Sequence, residues 1–153
     1  MTLLLSILII LWAVFGGAGP LFAYSDEISA PLEEVWQAVQ ETLAPYGIKK
    51  IKPHTNEIES RWIKDRVKRS RGLLKNVASQ LYERRYRLKI RLTQAGGLTS
   101  VAIRGTFEEK PYDSPPAVHW QSYKLESSDY DAERNFFMQL LKTLQSRRQN
   151  PAQ

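Results

Sequence analysis

Between Tyr82 and Leu92 two kinds of residue alternate, and that alternation constrains the fold more than any other stretch. The even positions are Tyr82, Arg84, Tyr86, Leu88, Ile90 and Leu92; the odd positions are Glu83, Arg85, Arg87, Lys89 and Arg91. Neighbouring side chains of a strand point to opposite faces, so after Arg84 one face is apolar and the other is a ladder of cations. Gln94-Ala95-Gly96-Gly97 reads as a turn. The run Leu98–Glu108 then places Val101, Ile103, Gly105 and Phe107 inward, and Ser100, Ala102, Arg104, Thr106 and Glu108 outward. Two such runs predict an antiparallel hairpin with one core face and one basic face.

Two amphipathic helices flank this hairpin in sequence. Leu32, Val35, Trp36, Val39 and Leu43 recur at helical spacing, with Ser29 or Ala30 as the cap, Pro31 near the first helical position and Glu33 and Glu34 in the first turn. Pro45 and Gly47 end that helix. A second helix is capped at Ser127 or Ser128 and starts with Asp129, Asp131 and Glu133. It carries the stripe Phe136, Phe137, Leu140, Leu141 and Leu144 and closes on Arg147 and Arg148. Between the first helix and the hairpin, Ile48–Lys52 and Glu57–Lys64 read as strands around the turn Pro53–Asn56. In the second of these, Ile58, Ser60 and Trp62 share a face. Residues 65–79 interrupt the strand pattern, and the prolines 111, 115 and 116 make 110–117 a loop. Tyr24–Ser29 and Trp120–Leu125 are candidates for further short strands. The order predicts an α+β, helix-grip-like fold: a curved antiparallel sheet of about five strands packed on a long C-terminal helix, with one N-terminal helix.

Met1 to Ala23 carries no charged side chain, and Leu3–Phe15 is apolar but for Ser6. Gly16, Gly17, Gly19 and Pro20 break the run before Ala23 and the polar Tyr24-Ser25-Asp26-Glu27. That is the layout of a secretory signal, and it predicts cleavage after Ala23. The alternative is an uncleaved anchor through residues 3–18, although the apolar core is shorter than the roughly 20 residues that span a bilayer. Residues 24–148 then form a single domain and 149–153 a frayed tail. The chain has no Cys, so neither disulfides nor a lipidated Cys is available to it. His54 and His119 form no cluster with metal-ligand spacing, which argues against zinc and haem; no cofactor is expected.

Charge narrows the functional classes. Residues 24–60 hold three Lys/Arg and seven Asp/Glu, residues 61–104 hold thirteen and two, and residues 105–153 hold six and seven. One central stretch therefore carries the basic excess, which suits an anionic partner. Its candidate contacts are Arg66, Lys68, Arg69, Arg71 and Lys75 in the insertion, and Arg85, Arg87, Lys89 and Arg91 on the ladder. Leu73, Leu74 and Val77 are candidates to dip into a membrane headgroup layer. The partner is an envelope protein or an anionic membrane surface. Nucleic acid suits the charge, but export argues against it. The plain reading is a solvated outer face partly neutralised by Glu57, Glu59 and Glu83. The paired carboxylates Glu33/Glu34 and Asp129/Asp131 are explained by helix starts. Nothing marks a nucleophile or a general base, so no enzyme is expected. A second class remains open: helix-grip folds often hold a small apolar ligand. Here Trp36, Trp62, Tyr86, Phe107, Phe136, Phe137, Leu140 and Leu141 are bulky enough to fill that space.

Three segments together resemble a known family. Ser29–Trp62 (SAPLEEVWQAVQETLAPYGIKKIKPHTNEIESRW), the basic GLLKNV before YERRYRLKIRL, and the ending AERNFFMQLLKTL are similar to BamC-like helix-grip domains. The likeness covers residues 28–146. It implies a relative of outer-membrane lipoproteins that serve the machinery inserting β-barrel proteins. This chain departs from the pattern in lacking the lipid-anchor Cys, and it has room for one helix-grip unit where the family carries two.

Overall fold

The computed structural model describes residues 24–70, 79–122 and 131–149. Along the chain it runs β1 (Tyr24–Ile28), α1 (Leu32–Leu43), β2 (Ile48–Lys52), β3 (Glu57–Ser60), β4 (Ile63–Ser70), β5 (Ser79–Ala95), β6 (Leu98–Pro111), β7 (Gln121–Ser122) and α2 (Asp131–Gln149). The fold is α+β and helix-grip-like. The sheet has seven strands where about five were expected, in the order β1-β6-β5-β3-β2, with β4 also on β5 and β7 on β6.

The hairpin forms as its alternation requires. β5 and β6 pair without a slip from Tyr82↔Pro111 to Ala95↔Leu98. The turn is Gly96-Gly97, with φ of 60° and 84°. Two consecutive left-handed residues give the twist that a two-residue hairpin needs, and glycine supplies them without a Cβ penalty. β6 continues through Pro111, into the region read as loop, because Pro111 falls at the strand end opposite Tyr82.

The stretch 57–70 departs from the expectation in an instructive way. Ile58 pairs with Ile90 and Glu59 with Lys89, but Ile63 pairs with Tyr86. The break at Arg61-Trp62 thus holds one residue more than the strand it faces, which is a β-bulge. Past it the alternation reverses: Ile63, Asp65 and Val67 take the face that Ile58 and Ser60 hold before it. Trp62 therefore leaves the core face. Residues 65–70 do not interrupt the strand pattern, because β4 stays on β5 as far as Ser70, and residues 71–78 lie outside the described residues. Ser60 closes the gap. Its buried hydroxyl accepts the Leu88 N–H at 3.0 Å and donates to the Arg61 carbonyl at 2.8 Å.

Both helices cover one face of the sheet. α1 buries Val35, Ala38, Val39 and Leu43, and α2 buries Phe136, Phe137, Leu140 and Leu144, against Ile58, Leu88, Ile90, Leu92, Val101 and Ile103. The cap of α1 is Pro31, one or two residues later than expected, with no side-chain hydrogen bond. The helices run antiparallel, since Thr42 meets Thr143 while Glu34, eight residues earlier, meets Arg148. One charged residue sits on the buried stripe. Glu133, three residues before Phe136, is fully buried, and its carboxylate accepts the Gly105 N–H at 3.0 Å. Among the described residues no helix is long and apolar enough to cross a membrane.

Candidate anion-binding face of the sheet

The face of the sheet away from the helices carries the odd residues of β5. Register aligns them with the neighbouring strands in two rows. One row is Lys50, Glu59, Lys89 and Arg104; the next is Lys52, Glu57, Arg91, Ala102 and Ser25. β3 contributes acid between two basic strands, so ion pairs form across the sheet. Glu59 meets Arg87 at 2.8 Å and Lys49 at 3.3 Å. Glu57 meets Arg91, Lys89 at 3.3 Å and Lys52 at 3.5 Å. Further along β5, Arg85 Nε donates to Glu108 at 2.6 Å, and Glu83 meets Lys110 at 3.3 Å. The ladder Arg85, Arg87, Lys89, Arg91 is thus held in place by Glu57, Glu59 and Glu108. Two of those acids were foreseen; Glu108 was not.

Two tryptophans lie on this face: Trp62, which the sequence reading placed with the core residues, and Trp120, to which it gave no face. The bulge turns Trp62 outward, and Trp120 arrives just before β7. The Arg85 guanidinium lies between them, 4.6 Å from the Trp62 ring and 4.5 Å from the Trp120 ring. Arg87 adds a second stack on Trp62 at 4.7 Å, and Lys110 lies 5.3 Å from Trp120. Stacking fixes the guanidiniums and removes water from their faces. Arg66 also belongs to this side of the sheet and stacks on Tyr112 at 4.8 Å. Lys64 and Lys68, next along β4, are exposed.

Beside the stack lies a groove of about 250 Å³ over β2, β3, β5 and β6. Lys50, Lys52, Arg87, Lys89 and Arg104 line it together with Glu57, Glu59, Ile58 and Thr106. Among the described residues neither Lys50 nor Arg104 has an ion pair. Sequence reasoning missed both as site residues. Their signal was present, since Lys50 and Lys52 have the spacing of one strand face and Arg104 stands at an outward position of β6.

The insertion is only partly described. Arg69 lies on β4, and Arg71, Leu73, Leu74, Lys75 and Val77 lie outside the described residues. Glu108 and Glu109 fall on opposite faces and do not form a carboxylate pair; Glu109 is buried opposite Arg84. Arg84 meets Asp65 at 2.7 Å on the core side. His54 and His119 are exposed. The volume that an apolar ligand would need between helices and sheet is occupied by Phe136, Phe137, Leu140 and Leu144, each at most 4% exposed.

Glu57 links this face to stability. Burial alone would raise its carboxyl; hydrogen bonds from Arg91 and Lys89, with their charge, outweigh that and hold it below the usual carboxylate value of 4.5. A depressed value contributes stability that is complete above the unfolded-state pKa and is lost as pH falls through the folded one. Stability should therefore decline with acidification below about pH 4.5. Arg91→Gln should flatten that decline, because Glu57 then titrates nearer its unfolded value. Urea midpoints of both proteins across the acid range measure it, and identical slopes contradict it.

No protein-family model and no curated protein matches the chain. Solved structures similar to it include a DUF4468 family protein from Bacteroides ovatus, with a TM-score of 0.49 at 12% identity over 84% of this chain and 91% of that one. Another is a TBP-like protein from Parabacteroides distasonis, with a TM-score of 0.42 at 12% identity over 80% and 91%. These are of other kinds than the BamC-like domains. At such distance they carry no reading of function, and the α+β architecture stands on the strands and helices described above.

Proposed function

We propose that this chain is an exported, non-enzymatic accessory module of the cell envelope, which docks on an anionic partner through the outer face of its sheet. The observation that carries the reading is Arg85 stacked between Trp62 and Trp120 on a face that also displays Lys50, Lys64, Lys68 and Arg104. Tryptophan and arginine dominate the energetic centres of interfaces, because they bury large area and keep a polar or charged edge. The surrounding cations give the face its sign and steer an anionic partner toward it. An acidic envelope protein or an anionic membrane surface meets these requirements. The resemblance to BamC-like domains agrees with an accessory role in the envelope.

Export rests on the uncharged run to Ala23. Tyr24, the residue that follows this run, starts β1, and its ring packs on Phe137 with centroids 5.3 Å apart. The test is binding of the purified protein to anionic vesicles and to envelope-protein fractions at low and high salt. Binding to one of them that weakens as salt rises is expected, since screening acts on exposed charges within about 10 Å at 0.1 M ionic strength.

A further inference from the structure

We infer that the groove over β2, β3, β5 and β6 is a site for a compact, doubly charged oxyanion of the phosphate class, bridged by Lys89 and Arg104. The inference deepens the reading of the outer face and rests on it. Lys89 and Arg104 stand directly opposite one another on adjacent strands. Like charges in that position destabilise a sheet. Along β5 an acid relieves each cation of the ladder: Arg91 and Lys89 lean on Glu57, Arg87 on Glu59 and Arg85 on Glu108. Arg104 has no such partner among the described residues, and it is exposed. A bound anion supplies the missing countercharge.

The groove sets the size and charge of that anion. Its volume of about 250 Å³ admits a phosphate group with a small substituent. Five cations and two carboxylates line it. The carboxylates are already engaged, Glu57 by three cations and Glu59 by two. Lining charge therefore exceeds lining acid by three. A monocarboxylate would leave most of that excess standing; a dianion removes most of it. Phosphate also offers enough oxygens to accept from Lys89, Arg104 and the exposed Thr106 hydroxyl, the next outward residue on β6. Lys50 stands across the groove as a further donor.

The experiment is thermal unfolding and binding in inorganic phosphate, with chloride at equal ionic strength as the reference. Phosphate should raise the midpoint beyond chloride, as a ligand of the native state must. Arg104→Gln should raise the midpoint in chloride, because the opposed charges are gone, and should lose the phosphate increment with about a tenfold fall in affinity, the scale of one charge-assisted hydrogen bond. A merely structural arginine does not give that combination. Lys142→Gln on α2 should change neither. Vesicles of phosphatidylcholine with and without phosphatidic acid separate the sources. Competition between phosphate and the phosphatidic acid vesicles assigns a lipid headgroup, whereas phosphate binding with no competition assigns a soluble phosphate. Phosphate that stabilises no more than chloride, or an Arg104→Gln protein that binds it as tightly as the unmutated one, overturns the site. Neither result touches docking through Trp62, Arg85 and Trp120, which lies beside the groove and is read separately by replacing the two tryptophans.

Discussion

Phe137→Ala is expected to lower the stability of the domain by about 3–5 kcal/mol, the range for truncating a buried aromatic ring. Phe137 is 3% exposed. It stands on α2 beside Phe136 and one turn before Leu140, and its ring meets Tyr24 of the opening strand. The space it leaves is bounded by Tyr24 of β1, which is held by its pairing with β6, so it cannot collapse freely. Urea unfolding measures the change. A loss under about 1 kcal/mol would mean that the stripe of α2 faces solvent or a partner. Trp36→Ala should cost less, because Trp36 is only partly buried at the margin of the core.

Gly105→Ala is expected to cost about 2–3 kcal/mol, although alanine is ordinarily the better strand residue. A Cβ at Gly105 would come within 2.6 Å of Phe107 Cζ and 2.7 Å of Glu133 Oε1. Those are not flexible surface tips. The Phe107 ring stacks on Tyr86 at 5.7 Å, and the Glu133 carboxylate is buried and holds the Gly105 N–H. The added methyl must push α2 away from β6 or break that hydrogen bond. Either leaves a buried carboxylate less well satisfied, which is expensive at this depth. Denaturant unfolding of Gly105→Ala beside Gly105→Ser tests it. A variant as stable as the unmutated chain would show that α2 moves away from β6 at no cost.

The parts of this fold that were legible in the sequence are those written as periodicity. Tyr86 to Leu92 and Val101 to Phe107 gave both strands of the hairpin and their faces. The stripes of Leu32–Leu43 and Phe136–Leu144 gave both helices. Period two and period 3.6 average over several residues, so one exception does not erase them. The bulge at Arg61-Trp62 is a single-residue event, visible only against β5, and no composition marks it. It alone decides that Trp62 joins Arg85 rather than Phe107. Glu133 had a signal, its place three residues before Phe136 on the apolar stripe, but an acid in a first helical turn has a simpler explanation in the dipole. The ladder Arg85–Arg91 was legible as a face. Its pairing with Glu57 and Glu59 followed from strand order, whereas Glu108, Lys50, Arg104 and Trp120 required the register.

The same sheet thus serves two ends: its inner face is packed against two helices, and its outer face is charged, aromatic and open. The measurement that bears most directly on this division compares stability and binding in one protein, with Trp62 and Trp120 both replaced by Ala. Both tryptophans stack on Arg85 outside the core, so the double variant should unfold cooperatively with the unmutated chain's helix content. Its salt-sensitive binding to anionic vesicles or to the acidic envelope fraction should fall at least about tenfold, the loss of one interface centre of about 1.4 kcal/mol or more. A double variant that folds and binds both as tightly as the unmutated protein would contradict docking through the outer face and leave its cations as a solvated, self-paired surface.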